Sequence, residues 1–156
     1  VTTAPHAPSI AFTDLAGAVA ALRERGVRLT AARRLVLEGL FAADWPVSAD
    51  QLAGGLDGAI APSDLASVYR NLETMERLGI VRHVHLGHGP GLYALAGREE
   101  REYLLCESCG RLVSLSPFEL DPVRDQVRER FGFEARFDHF PLSGLCAGCA
   151  KEALTG

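Results

Sequence analysis

Two groups of side chains in this chain have the types and spacing to hold metal ions. The first is four cysteines in two pairs, Cys106-x2-Cys109 and Cys146-x2-Cys149. Four thiolates are the number a structural Zn2+ takes in tetrahedral geometry, and such a site has no open position, so its role is to hold a fold together. Cysteines kept for a metal rather than for disulfides fit a reducing compartment, the cytoplasm. The second group is imidazoles. His83 and His85 stand two apart in HVHLGHG (residues 83–89), inside an apolar run that reads as a strand, where alternate residues share a face. His139 joins them if that hairpin folds against the C-terminal half. Three imidazoles suit Ni2+, Zn2+, Cu2+ or Fe2+, the remaining positions going to water or a small acid, and ligand softness does not choose among these ions. The plainer reading of His-x-His on a strand is a solvated polar face. His88, in a turn, suits either role, and His6 lies in a tail with no such partners.

Motifs of catalysis are missing. GxSxG, HExxH, a phosphate-binding loop and GxGxxG do not occur. A three-His catalytic zinc would need a general base beside it, and none is in view, so the expectation is a protein that is not an enzyme and takes no organic substrate.

The elements that must position these ligands follow from periodicity and caps. Residues 15–25 carry Leu15, Val19 and Leu22 at helical spacing, and Gly26 stops them. Thr30 caps a second helix whose Leu35, Val36, Leu40 and Phe41 form an inward stripe; Asp44, Trp45 and Pro46 break it. Ser48 caps a third, short helix, with Gln51 completing a capping box. Ser63 is expected to cap the longest helix of this half, residues 63–79, burying Leu65, Val68, Leu72, Met75 and Leu78 and displaying Ser63, Ser67, Tyr69, Arg70 and Asn71. IVRHVHL and GLYALAG, joined by GHGPG, make a hairpin. Helices followed by a longer helix and a hairpin are the order of a winged helix-turn-helix, which places residues 63–79 in the major groove of double-stranded DNA, with the five displayed side chains on phosphates and base edges. Without that order the same face would read as solvated surface.

Beyond Gly97 the character changes. The charge run at residues 98–102 is a connector. YLLCESCGRLVSLS reads as two strands hinged at the first cysteine pair, residues 121–131 as a helix with Pro in its first turn, and FEARFDHFPL as a third strand that carries His139 to the second pair. Gly110 and Gly148 stand where tight turns around sulfur need them. A strand, strand, helix, strand unit with an exposed apolar edge suits one half of a dimer. The fold class expected is therefore α+β: a tail over residues 1–14, an N-terminal winged helix-turn-helix over 15–97, and a small α/β dimerisation domain with a four-cysteine zinc site over 98–156.

Composition sets limits on partners. Nothing apolar is long enough to span a membrane, and the opening residues are no signal peptide. Net charge is −4, and both halves are mildly acidic: eight Arg and no Lys against nine acids in residues 1–97, eight bases against eleven acids in 98–156. DNA contact must then come from local Arg, such as the five between Arg23 and Arg34, which include Arg33.

TAARRLVLEGL, SADQL, SVYRNLETMERLGIV and CESCG…GLCAGC, in this order from about residue 15 to 149, resemble the ferric uptake regulator family of bacterial metal-responsive repressors. HVHLGHG with DHF most closely resembles its nickel-responsive branch. The resemblance implies a homodimer that binds palindromic operators when loaded with metal, and places the branch's nickel ligands on His83, His85 and His139. Zinc, iron or manganese as the sensed ion stays open, as does a zinc-stapled DNA-binding protein without sensing. One departure stands out. Where the family has a His-rich segment before the first cysteine pair, supplying a second regulatory site, this chain has Glu99, Glu100, Arg101, Glu102 and Tyr103, and Trp45 and Pro46 replace the His near the third helix. Glu100, Glu102 and Asp121 offer a harder site suited to Mn2+ or Fe2+. The charge of Arg101 among them favours loss of that site.

Overall fold

A computed structural model describes residues 10–97 and 100–155. His6, Arg98 and Glu99, and the first nine residues of the expected tail, lie outside the described residues. The described residues divide into two compact units, one formed by residues 10–84 and 90–97, the other by 85–89 and 100–155.

In the first unit, α1 (Leu15–Glu24), α2 (Ala31–Ala42), α3 (Ala49–Ala53) and α4 (Leu65–Arg77) pack beside a three-stranded antiparallel sheet. Its strands are β1 (Val47–Ser48), β2 (Val81–Val84) and β3 (Leu92–Leu95), in the order β1-β3-β2. Leu22, Leu37, Leu52, Leu72, Met75 and Ile80 are completely shielded from solvent. The helical period put Leu35 in the stripe of α2; Leu37 takes that place, and Leu35 is half-buried. Within the stretch read as a tail, Phe12 is a core residue, Ile10 N–H donates to Gly79 O at 3.1 Å, and Asp14 caps α1.

Thr30 caps α2, and Ser48 with Gln51 forms the full capping box of α3. At α4 the cap is Asp64 and not Ser63: the Asp64 carboxylate accepts from Ser67 N–H at 2.8 Å, while Ser63 N–H donates to Ala53 O. Adjacent Ser and Asp both have the short oxygen-bearing side chain that a cap needs, and the stronger, charged acceptor holds the position. Strand β1 is two residues long and was not expected; it pairs Val47 with Tyr93 and Ser48 with Leu92.

The second unit holds β4 (Glu102–Cys106), β5 (Leu112–Leu115), α5 (Asp121–Phe131), β6 (Leu142–Gly144) and α6 (Ala147–Thr155). Its sheet has the order β5-β4-β6, with β4 antiparallel to β5 and parallel to β6. Of the strand expected over FEARFDHFPL only its last residue, Leu142, is in a strand, as the first residue of β6; residues 132–141 have no regular pairing, and Phe133 and Phe140 are exposed. Helix α6 was not expected, and Gly148 lies within it rather than in a turn. None of its described residues is buried.

Candidate functional site

Strand β4 delivers Cys106 to the end of the sheet. The chain then reverses through a turn closed by Gly110 N–H donating to Cys106 O at 2.9 Å, with Gly110 at φ 72°, and this turn carries Cys109. Past β6, Cys146 N–H donates to Cys106 Sγ at 3.3 Å, and α6 begins one residue later, bringing Cys149 round in its first turn. All four Sγ atoms lie within 4.8 Å of one another, and Cys109 and Cys146 are 3.9 Å apart. A tetrahedron of Zn–S bonds near 2.3 Å has edges of about 3.8 Å, so the thiols fit the ion that the spacing predicts. Their electrostatics agree. Backbone N–H groups of Cys109 and then Cys146 aimed at Cys106 bring its thiol down to about 6, and the N–H of Cys149 lowers Cys146. The Ser108 hydroxyl pulls Cys149 down, but the neighbouring sulfurs and burial outweigh it and push that thiol up to about 11. A bound dication favours the thiolate form of all its cysteine ligands. Among the described residues this is the one cluster of three or more His, Cys, Asp or Glu whose ligand atoms come that close.

The expected alternation of His83 and His85 on one strand does not hold, because β2 ends at Val84. His83 belongs to the first unit. It pairs with Tyr93 across the sheet, their rings stacked at 4.6 Å and 8°, and its Nδ1 lies 3.9 Å from Oε1 of Glu76 in α4. Burial and then the charge of Glu76 push the Tyr93 phenol up. His85 and His139 belong to the second unit. His85 N–H donates to His139 O at 3.0 Å, and the two rings meet edge-on at 5.3 Å with Phe140 stacked on His85 at 5.5 Å. His139 lies in a bend before β6 and not on a strand. His88 is exposed.

The carboxylates before the first cysteine pair are occupied differently. Glu102 is buried, its Oε1 accepts from Arg124 Nη2, and Arg124 Nη1 also donates to Asp121 at 2.9 Å and to Pro117 O at 2.8 Å. The Phe137 ring stands 5.3 Å from the same guanidinium. Burial lowers Arg124, but the hydrogen bonds and charges of Glu102 and Asp121 more than reverse it, and the guanidinium is held above its ordinary value. These groups line a cavity of about 320 Å3 together with Glu100 and Asp138. An internal cation thus sits on two of the three carboxylates read as a hard metal site. It is Arg124, one helical turn after Asp121; Arg101 donates instead to Ser114 at 3.2 Å.

On α4, Tyr69 and Arg70 are exposed and Ser67 is half-buried. Asn71 is only 7% exposed and donates to Ser67 O at 2.9 Å, so it is withdrawn from the reading face where the sequence placed it. Ser63 is half-buried. Arg33 is half-buried with Nη1 on Arg28 O. Glu76 and Arg124 escaped sequence reasoning. Glu76 falls two helical turns after Tyr69, a spacing that gave it no motif.

The family model of the ferric uptake regulator family matches residues 24–139. The chain is 27% identical over 143 residues to the peroxide operon regulator of Bacillus subtilis, covering 92% of this chain and 98% of that one. Among solved structures it resembles the ferric uptake regulator of Pseudomonas aeruginosa with manganese, with a TM-score of 0.63, 27% identity, and 82% and 96% of the two chains covered. It also resembles the Helicobacter pylori ferric uptake regulator, whose structure is described as having three functional metal-binding sites. There the TM-score is 0.68 at 15% identity, with 90% and 97% covered, a likeness of fold alone.

Proposed function

The chain belongs to the ferric uptake regulator family, and on that footing we propose that it is a cytoplasmic, nickel-responsive repressor that binds palindromic operator DNA as a homodimer. Members of the family are dimeric, DNA-binding, metal-responsive regulators rather than enzymes. Among the described residues no helix is long and apolar enough to cross a membrane.

The meeting of His85 and His139, at 5.3 Å between rings, is the observation that carries the sensing reading. Residues far apart in sequence have been brought side by side with Phe140 packed against both rings, and two imidazoles so placed are a large part of a ligand set. In this reading His83, His85 and His139 hold the regulatory ion, nickel by the likeness of HVHLGHG to the nickel-responsive branch. Bound there, a divalent ion would crosslink the side chains that hold it. In this reading occupancy would tie the DNA-binding region, residues 15–97, which carries His83 and His85, to the dimerising region, 98–156, which carries His139. Such coupling is typically worth about 1–3 kcal/mol, and by reciprocity operator DNA tightens the metal. Tyr69, Arg70 and Ser67 of α4, with Arg33, address the DNA; the zinc on the four cysteines holds the second unit together. The guanidinium of Arg124 on Glu102 and Asp121 supports the loss of a second regulatory site.

A mobility-shift titration with Ni2+, Zn2+, Mn2+ and Fe2+, and with peroxide added in a parallel arm, tests this. Operator affinity should rise with Ni2+ at the lowest concentration, and His85→Ala or His139→Ala should abolish that rise while leaving the dimer and its zinc intact. Binding that ignores every added ion would leave a zinc-stapled DNA-binding protein; a response that survives in both variants would remove the three imidazoles from the mechanism.

A further inference from the structure

We infer that an ion held by His83 binds through Nδ1 and takes the Glu76 carboxylate of α4 as a second ligand, so that the DNA-reading helix itself belongs to the metal site. This rests on the reading of His83 as a regulatory ligand and adds to it a residue that no spacing suggested.

The imidazole has two nitrogens, and one of them is closed. A Cβ built on Gly91 would press on His83 Nε2 while standing 3.0 Å from both Cδ2 and Cε1 of the ring. Equal distances to those two carbons, with Nε2 nearer than either, set it out along the Nε2 lone-pair direction. An ion bonded to Nε2 at about 2.0–2.1 Å would occupy nearly the same point, one bond length from Gly91 Cα. Tyr93, stacked on the ring at 4.6 Å and 8° from the neighbouring strand, fixes the plane of the imidazole.

The other nitrogen faces Glu76. Nδ1 and Glu76 Oε1 are 3.9 Å apart, with the two side chains 23% and 28% exposed. That gap exceeds a hydrogen bond, which weakens out by about 3.5 Å. It is slightly less than two collinear ligand bonds of about 2.0–2.2 Å laid end to end. Closing it by about half an ångström gives the N···O edge of a tetrahedral site, near 3.4 Å by the same bond lengths. One carboxylate oxygen beside imidazoles suits Ni2+, Zn2+ or Fe2+ and disfavours the softer Cu+. Glu76 lies in the last turn of α4, six residues after Arg70, so a ligand bond there reaches the exposed reading residues through one rigid helix.

The test uses the full-length, zinc-containing dimer. Calorimetric titration with Ni2+ alone compares the wild type with Glu76→Gln, Glu76→Asp and His83→Ala. Long-range nitrogen NMR of 15N-histidine-labelled protein loaded with diamagnetic Zn2+ identifies the bonded nitrogen. Glu76→Gln, which keeps a hydrogen-bond acceptor but loses the anionic ligand, should weaken Ni2+ at least about tenfold, Asp should recover part of that, and the His83 shifts should mark Nδ1 as bonded. Coordination at Nε2, or an unchanged Ni2+ affinity in Glu76→Gln while His83→Ala is impaired, overturns this inference and leaves the sensing reading standing. Unchanged affinity in His83→Ala overturns both.

Discussion

Among the described residues, the first unit shields Leu22, Leu37, Leu72, Met75 and Ile80 completely, whereas the second buries only Tyr103, Cys106 and Leu120 of its apolar groups and leaves Phe118, Phe131, Phe133, Phe140 and Leu154 from 61% to 87% exposed. The same chain therefore stabilises its halves by different means. The first half closes a core of its own, as a helical domain with short connections can. The other half relies on its cysteine cluster and the buried Glu102–Arg124 pair, and its exposed aromatics are the surface that the proposed homodimer would cover. The proposed sensing draws on both: His83 stands on β2 of the tightly packed half, His85 and His139 in the loosely packed one.

Removing zinc should break this contrast most strongly. Structural zinc contributes about 10–16 kcal/mol of apparent binding free energy at neutral pH, so Cys106→Ser or a strong chelator should unfold the second unit and abolish the dimer in sedimentation. NMR signals of the first-unit core should survive. Loss of both sets together would mean that the halves do not fold independently. A core truncation sharpens the contrast from the other side. Leu72→Ala removes a fully buried side chain and should cost about 2–5 kcal/mol in urea unfolding. Phe133→Ala, at 67% exposed, should leave that transition in place and lower the dimerisation affinity instead.

The smallest effect is electrostatic. Arg128, by its hydrogen bond and charge, holds the Glu134 carboxyl below the ordinary range. A depressed carboxyl stabilises the fold above its unfolded pKa, and that contribution is lost as pH falls through the folded value. The urea midpoint gap between wild type and Glu134→Gln should thus be slight at pH 7, since the pair is exposed, and vanish on acidification. A gap that widened in acid would mean the pair is not what stabilises this loop.

How much of this was legible depends on whether the deciding interaction was local. Thr30, Ser48 with Gln51 and the two cysteine pairs declare themselves within four residues, and each stands where its spacing put it. Asn71 was readable and misread: it falls three residues after Val68 and four before Met75, on the buried face of α4. The strand over FEARFDHFPL failed because an aromatic alternation needs a partner strand, and β4 offers one only to Leu142–Gly144. Glu102 with Arg124 lies 22 residues apart, and Glu76 with His83 joins a helix to a strand; neither has a sequence signature, because tertiary packing alone creates it.

Anomalous diffraction at the nickel edge, on crystals of the nickel-loaded dimer with its zinc in place, reaches the sensing claim directly. The account predicts one nickel per protomer with nitrogens of His83, His85 and His139 about 2 Å away, as imidazoles bind divalent ions. Nickel found elsewhere, with those three rings hydrated and more than about 8 Å apart against that bond length, would contradict it.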